Sequence, residues 1–169
     1  MSSVTSQPII RKAFEGDERG IHEAHMRSIR EICSKAHSPE EIKGWGNRPF
    51  SNLWSQLIPS GTLWVIELAE EIHGVGYVKI SEESGNFNAH IFGLYLTPEV
   101  VGQGLGAKLM KLMINTGRDA GAKLVTLDSS INAHDFYKRF GFVDTGPLNF
   151  SEIGGSLVRG YPMALKITD

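Results

Sequence analysis

The chain has 169 residues, of which 41% are hydrophobic and 21% charged, and this composition predicts a single packed domain over residues 1–169. Its 17 Lys and Arg against 19 Asp and Glu give a net charge of −2, which argues against a nucleic-acid-binding module. We also expect no membrane contact, because no apolar run reaches the roughly 18–20 residues of a membrane helix. A cytoplasmic location is expected because the start of the chain is polar and the only cysteine can close no intrachain disulfide.

The first part of the chain predicts one strand and two helices. Residues 8–14 are typical of a strand, and Asp17 is expected to cap the helix that follows. The segment 38–41, Ser-Pro-Glu-Glu, predicts the start of a second helix, which ends near residues 44–46. Residues 47–60 allow no clear assignment. The buried stripe of the first helix comprises Ile21, Ala24, His25, Ser28, Ile29 and Ile32.

Three strands rich in branched and aromatic residues follow, at 62–68, 72–80 and 89–96. Short turns at 69–71 and 83–86 join them as antiparallel neighbours. Strand alternation predicts that His90, Phe92 and Leu94 lie on one side of the third strand.

The remaining elements alternate between helix and strand. A glycine-rich loop at 102–106 leads into a helix that ends at 117–121, and 123–128 predicts a strand. Asn132 is expected to cap a short helix that ends at Gly141. Two final strands, at 142–146 and 157–167, join around 154–155. The core-facing residues of the first of these helices are expected to be Leu105, Leu109, Leu112, Met113 and Thr116.

This order predicts an α+β fold with a mostly antiparallel sheet and one β-α-β crossover over residues 91–128.

The segment Val101–Lys108, with three glycines between a strand and a helix, has the chemistry of an anion site. Glycines let several backbone N–H groups point the same way, and the helix start adds partial positive charge. Adenosine triphosphate hydrolysis through a P-loop is excluded, because Ala107 and Lys108 follow Gly106 where that motif needs lysine and then serine or threonine.

Two other phosphate-bearing ligands remain. A dinucleotide fold needs an acidic residue about 20 positions after the glycines, and Asp128 stands near that place. However, residues 97–101 separate the strand from the first glycine, and only about 40 residues follow Asp128. The second of these ligands is coenzyme A.

Four segments together resemble the GCN5-related N-acetyltransferases: Leu94 to Glu99, Val101 to Ala107, Ala133 to Phe142, and Tyr161 to Leu165. The family motif Gln/Arg-x-x-Gly-x-Gly/Ala is matched at Gly104 and Gly106, whereas Val101 replaces its polar first residue. The resemblance implies a central mixed sheet with helices on both faces. It also implies two strands that splay apart, with the pantetheine arm of acetyl-CoA in the gap.

The resemblance further implies which residues hold acetyl-CoA. The backbone of the third strand would bind the pantetheine, loop amides would bind the pyrophosphate, and two polar residues would lie near the pantetheine or the acyl carbonyl. In chain order these residues are Leu94, Tyr95, Leu96, Val101, Gly102, Gln103, Gly104, Leu105, Gly106, Ala107, Ser130 and Asn132.

Two residues are the predicted catalytic pair. Tyr137 matches the family's tyrosine and would protonate the thiolate of coenzyme A as it leaves. His90 stands where a histone-acetylating branch has a glutamate, and would act as the general base toward the amine. Glu67 and Glu70 are alternative bases. Cys33 is not expected to be a nucleophile, since nothing places a base beside it.

The resulting hypothesis is acetyl transfer from acetyl-CoA to a primary amine by direct attack in a ternary complex, without a metal ion. The alternatives are a non-catalytic acyl-CoA-binding or regulatory module and a nicotinamide-dinucleotide enzyme that uses Asp128. The resemblance suggests a homodimer and leaves the acceptor open. It would place the acceptor between the first two helices and the last hairpin, near Ser28, Arg30, Trp45, Trp54 and residues 148–156.

Overall fold

The computed structural model describes residues 6–168, and over these residues eight strands form the sheet. The strand order is β1-β2-β3-β4-β5-β8-β6, and β7 pairs with β8 beside this path. The pairing of β4 with β5 is parallel, whereas the other pairs are antiparallel. The predicted α+β fold is therefore confirmed. The strands are β1 (Ile9–Lys12), β2 (Leu63–Leu68), β3 (Glu71–Glu83), β4 (Asn86–Leu96), β5 (Ala122–Ser129), β6 (Val143–Asp144), β7 (Asn149–Ile153) and β8 (Ser156–Lys166).

Five α-helices lie in the described part of the chain, and none is long and apolar enough to cross a membrane. They are α1 (Glu18–Glu31), α2 (Pro39–Trp45), α3 (Leu53–Leu57), α4 (Leu105–Asp119) and α5 (His134–Arg139). The predicted start of α2 is confirmed by a capping box. The Glu41 N–H donates to Ser38 Oγ at 3.2 Å, and the Ser38 N–H donates to Glu41 Oε1 at 2.8 Å.

The helices cover both faces of the sheet, as expected. Helix α4 packs its buried Leu109 and Met113 against Ile66 and Val78 on one face. Helices α1 and α3 cover the other face, where Ile21 and Trp54 belong to a cluster with Leu63, Val65 and Val75. Alternate residues of β2 therefore enter two separate hydrophobic layers.

Several local predictions are wrong. Asp17 stands at the N-cap of α1 but does not cap it, because its carboxylate accepts hydrogen bonds from Arg11 and from the Phe14 N–H instead. Leu112 is 39% exposed, since the buried stripe of α4 runs through its neighbours. Asn132 does not cap α5, which has Ala133 at its N-cap position.

The regions at 47–60 and after 142 also differ from expectation. Residues 47–60 contain α3 and a short 3₁₀ turn, Ile58–Ser60. The strand expected at 142–146 is only the two-residue β6, and β7 was not predicted. The turn at 154–155 is confirmed, but it joins β7 to β8.

Strand β4 has two irregularities that shape its carboxyl end. Its pairing with β5 ends at Ile91↔Leu127, although β4 continues to Leu96. In the pairing with β3, Tyr77 faces Gly93 and Val78 faces Ile91, so Phe92 is an extra residue in a bulge. The two parallel strands therefore splay, as expected, and the end of β4 is left without a partner on its β5 side.

The bulge overturns the predicted alternation along β4. Phe92 stacks on Tyr77 and contacts the His90 ring, with ring centroids 5.6 and 4.6 Å apart. Leu94 instead packs into the layer beneath α4. His90 and Phe92 therefore share one side of the strand while Leu94 lies on the other.

Candidate active site

The separation of β4 from β5 opens a cavity of about 400 Å³, which we call the glycine-loop cleft. It lies between the end of β4, the loop before α4, the segment after β5, and α1. The residues predicted to hold acetyl-CoA that line it are Leu94, Tyr95, Leu96, Val101, Gly102, Gly104, Gly106, Ala107, Ser130 and Asn132.

Two predicted residues do not line the glycine-loop cleft. The Gln103 side chain turns back, and its Nε2 donates to the carbonyl oxygen of Glu99 at 3.1 Å. The Leu105 side chain is buried in the core under α4. Any contact of either residue with a ligand in the cleft would therefore come from the backbone.

The glycine loop has the geometry of a phosphate cradle. Gly102 and Gly104 have φ values of +80° and +79°, in the left-handed region that favours glycine. No atom lies within 4 Å of a Cβ built at either position, so the loop surface is open there. Helix α4 begins at Leu105, and its first-turn N–H groups and dipole suit an anionic diphosphate. The loop therefore fits the phosphates of coenzyme A.

Sequence reasoning missed several residues of the glycine-loop cleft. Phe136 and Arg139 reach it from α5, where they are three positions apart and share a helix face. Arg139 is exposed and adds a cation that can attract phosphate. Ile32 and Cys33 line the cleft from the end of α1, but no local pattern indicates that α1 would lie beside β4.

Tyr137 is buried beside the glycine-loop cleft rather than in its lining. Its side chain packs between Phe136 and Phe142, with ring centroids 5.4 and 6.0 Å from its own. Burial, together with the nearby Cys33 thiol, raises the pKa of the Tyr137 phenol above its ordinary value. Tyr137 therefore keeps its proton at neutral pH, so it can act as a proton donor but not as a base.

Two further cavities lie on the α1–α3 face of the sheet. The His90 cavity, of about 190 Å³, is bounded by Trp45, His90, Asp128 and the β7–β8 hairpin. The Arg48 cavity, of about 410 Å³, is bounded by Arg48, α3, β3 and β4. Both are lined by Phe92 and Tyr95, and are therefore adjacent.

Tyr95 lines all three cavities and stands at their junction. Its ring lies over Gly93, where φ is +149°, and a Cβ at Gly93 would collide with that ring. Burial raises the pKa of the Tyr95 phenol, so this second phenol is also protonated. Sequence reasoning gave Tyr95 only a backbone role, because the bulge that turns its side chain away from α4 has no clear local signal.

His90 has the environment of an uncharged imidazole. Its Nδ1 lies 2.7 Å from Thr126 Oγ1. Burial lowers the pKa of His90 below its ordinary value, although the Asp128 carboxylate opposes this shift. A neutral imidazole can accept a proton from an amine that enters the His90 cavity.

The alternative bases lie elsewhere. Glu67 Oε1 accepts hydrogen bonds from Arg11 Nε and Nη2, at 3.3 and 3.0 Å, and Glu67 and Glu70 line a separate surface cavity with Arg11. Asp128 lines the His90 cavity and not the glycine-loop cleft, which removes the basis for a dinucleotide site. Within residues 6–168, no three His, Cys, Asp or Glu side chains are grouped to hold a metal ion.

The residues expected around the acceptor are divided among the three cavities. Trp45 lines the His90 cavity, Trp54 lines the Arg48 cavity, and Ser28 lines the glycine-loop cleft. Arg30 instead donates from Nη1 to the carbonyl oxygen of Gly46 at 2.8 Å, which ties α1 to the end of α2.

Comparison with known proteins assigns the family. The sequence model of the acetyltransferase (GNAT) domain matches residues 33–166, which is most of the chain. The chain belongs to the GNAT acetyltransferases. It is 29% identical over 154 residues to the thialysine N-epsilon-acetyltransferase of Sus scrofa, covering 80% of this chain and 84% of that one.

Solved structures agree on the fold. A GCN5-related N-acetyltransferase from Rhodopseudomonas palustris aligns with a TM-score of 0.77 at 23% identity, covering 99% of this chain and 100% of the other. The PaiA N-acetyltransferase of Thermoplasma acidophilum, solved with coenzyme A, gives a TM-score of 0.69 at 18% identity and covers 95% and 99%. The predictions of the GNAT fold and of an acetyl-CoA-dependent N-acetyltransferase are therefore confirmed.

Proposed function

We propose that this GNAT chain works as one domain that transfers the acetyl group of acetyl-CoA to a primary amine within a ternary complex. The junction at Tyr95 carries the proposal. The glycine-loop cleft approaches it from one side, and the two cavities on the α1–α3 face approach it from the other. An acyl donor and an amine held in these spaces would meet there, which favours direct attack.

When bound, acetyl-CoA supplies a thioester carbonyl that an amine can attack. The amine nitrogen forms the new bond to the carbonyl carbon, the carbon–sulfur bond breaks, and its electron pair leaves with the sulfur. We assign His90 to remove one proton from the acceptor ammonium so that the amine can attack, and Tyr137 to protonate the leaving sulfur. As the amide forms, its nitrogen releases a second proton, which restores the Tyr137 phenol. The products are the amide, the free thiol and the proton taken up by His90. The raised pKa of Tyr137 keeps its phenol protonated, and the lowered pKa of His90 keeps its imidazole neutral. These are the protonation states that the two roles require.

Cys33 supports a route without a covalent enzyme intermediate. Its side chain is buried at the wall of the glycine-loop cleft. Burial raises the pKa of the Cys33 thiol to about 12, although hydrogen bonds with Asn132 and Ser130 lower it in part. Such a thiol remains protonated at neutral pH and is a poor nucleophile.

Replacement of Tyr137 by phenylalanine tests the proposal. We expect kcat for an acetylated amine to fall by roughly 10²–10⁴, because the proton donor is lost. The dissociation constant for acetyl-CoA, measured by calorimetry, should remain unchanged. Tyr161→Phe is the matched control, since that phenol ring stacks on His134 and lines none of the three cavities.

An unchanged kcat in Tyr137→Phe would exclude the assigned donor. Tyr95→Phe would then be examined, because it removes the other phenol near the junction. Tight binding of acetyl-CoA without acetylation of any amine would favour the acyl-CoA-binding module instead.

A further inference from the structure

The Arg48 cavity has an unbalanced charge. Arg48 and Lys79 are the charged side chains in its lining, and both are cations. In the part of the chain that the structure describes, neither forms a salt bridge with a carboxylate. Arg48 is half-buried and Lys79 is exposed. Partial burial of the Arg48 guanidinium without an anion is unfavourable, so the cavity is suited to an anionic ligand.

Local contacts hold the Arg48 guanidinium in place. Its Nε donates to the carbonyl oxygen of Trp45 at 2.9 Å, and its Nη2 lies 3.5 Å from His25 Nε2. Burial, with a contribution from Arg48, lowers the pKa of His25 to about 3, so this histidine adds no positive charge at neutral pH. The guanidinium is therefore the fixed charge of the cavity, and none of its described contacts neutralises it.

The rest of the Arg48 cavity is aromatic and aliphatic. Trp54, Tyr77, Phe92 and Tyr95 line it together with Leu53, Leu57 and Val75. Phe92 is 57% exposed, although it stacks on Tyr77. An apolar group that entered here would cover this exposed ring and would gain apolar contact.

The neighbouring His90 cavity contains a carboxylate, which the Arg48 cavity lacks. Asp128, the neutral His90 and Arg159 line it, and the Arg159 guanidinium is already paired with Glu41 at 2.8 Å. The cavity shares Phe92 and Tyr95 with the Arg48 cavity. A ligand that spans both spaces would therefore place an ammonium near Asp128 and an anion near Arg48.

We propose that the Arg48 cavity is the acceptor's carboxylate site, and that the acceptor is an amino acid or related amino-carboxylate with an apolar or aromatic body. This inference rests on the proposed acetyl transfer. Arg48 and Lys79 hold the carboxylate, the aromatic wall holds the body, and the amine points toward His90. A planar guanidinium suits a carboxylate because it can donate two parallel hydrogen bonds.

Binding of two probes tests the carboxylate site without any turnover. The probes are 3-phenylpropanoate and the neutral 3-phenylpropanamide, titrated calorimetrically into the protein with coenzyme A present. We expect the carboxylate to bind at least about tenfold more tightly, the size of a charge-assisted hydrogen bond. Arg48→Gln should abolish this preference, and Lys79→Gln should reduce it. Arg118→Gln, at the exposed end of α4, should retain it.

Unchanged coenzyme A affinity and thermal melting would show that Arg48→Gln still folds, and Lys79→Gln provides an independent variant at an exposed position. Equal binding of the two probes, a preference for the amide, or binding of neither would overturn the proposal.

Turnover separates this inference from the proposed function. We expect phenylalanine to be acetylated with a lower KM than phenylalaninamide. Arg48→Gln should raise the KM for phenylalanine about tenfold and leave its kcat at saturation unchanged. Carboxylate-selective binding without acetylation of any amine would refute acetyl transfer while leaving the carboxylate site in place. Acetylation that favours the amide, or peptides without a nearby carboxylate, would refute the site alone.

Discussion

Glu41 joins three parts of the molecule, and its removal should cause a large loss of stability. The buried carboxylate lies 2.7 Å from His37 Nδ1 and accepts hydrogen bonds from the Ser38 N–H at 2.8 Å, from the Arg159 N–H at 3.0 Å and from Arg159 Nη2 at 2.8 Å. His37 in turn accepts from the Ile131 N–H at 3.0 Å. The network therefore connects α2 to the β7–β8 hairpin and to the segment that carries Ser130.

Loss of one partner of a buried ion pair costs about 3–5 kcal/mol. The Arg159 side chain is 35% exposed, so we expect Glu41→Gln to lower the free energy of unfolding by about 2–3 kcal/mol. For a chain of this length, that loss corresponds to a decrease in Tm of roughly 4–12 °C. Glu40→Gln is the matched control, because Glu40 is its exposed neighbour on the same helix.

The effect should also depend on pH. Burial opposes ionisation of Glu41, but hydrogen bonds from Arg159, Ser38 and His37 outweigh it and hold the pKa of this carboxyl well below its usual range. Its contribution is therefore complete above the pKa of an unfolded glutamate, about 4.3. It is lost as the pH falls through the lower folded-state value. Urea denaturation at several pH values measures this, and a difference between the wild type and Glu41→Gln below about 1 kcal/mol at pH 7 would refute the reasoning.

Three more outcomes follow from buried, strained and titrating groups. Leu109→Ala should lower the free energy of unfolding by about 3–5 kcal/mol, whereas Leu112→Ala on the exposed face should lower it by less than about 1 kcal/mol. Similar losses for the two variants in urea denaturation would contradict the assigned face of α4. Gly104 has a φ of +79°, and Gly104→Ala should weaken acetyl-CoA binding in calorimetry. Gly155→Ala is the control, because Gly155 has a φ of +87° in the β7–β8 turn, and its replacement should leave this binding unchanged. Equal effects on binding would argue against a phosphate cradle. The rate of amine acetylation should fall in acid with a midpoint below pH 6.5, because His90 must be neutral to accept a proton. His90→Gln should remove this acid limb of the pH profile. A variant with an unchanged profile would exclude His90 as the base.

Predictions from the sequence succeeded where a few neighbouring residues decide the structure. Ser38 and Glu41 form both hydrogen bonds of a capping box within one turn of chain. The glycines at 102 and 104 have the left-handed backbone that their loop needs, and α4 follows them directly. Such features depend on local backbone chemistry, so they can be recognised without knowledge of the fold.

Predictions failed where distant segments decide. The extra residue at Phe92 reverses the alternation of β4, and only the pairing with β3 reveals it. Asp17 does not cap α1, because its carboxylate accepts a hydrogen bond from Arg11 in the neighbouring strand β1. The Arg48 cavity draws on α3 and on the loop before it, where no periodic pattern exists. Most of the glycine-loop cleft could therefore be predicted, whereas the acceptor side could not.

The most direct test of acetyl transfer is mass spectrometry of a defined amine panel incubated with the protein and acetyl-CoA that carries an isotopic label in the acetyl group. We predict that at least one amine acquires the labelled acetyl group, with release of one free thiol per product, and that Tyr137→Phe slows the reaction strongly. Absence of labelled product from every amine, under conditions where calorimetry shows acetyl-CoA bound, would contradict acetyl transfer.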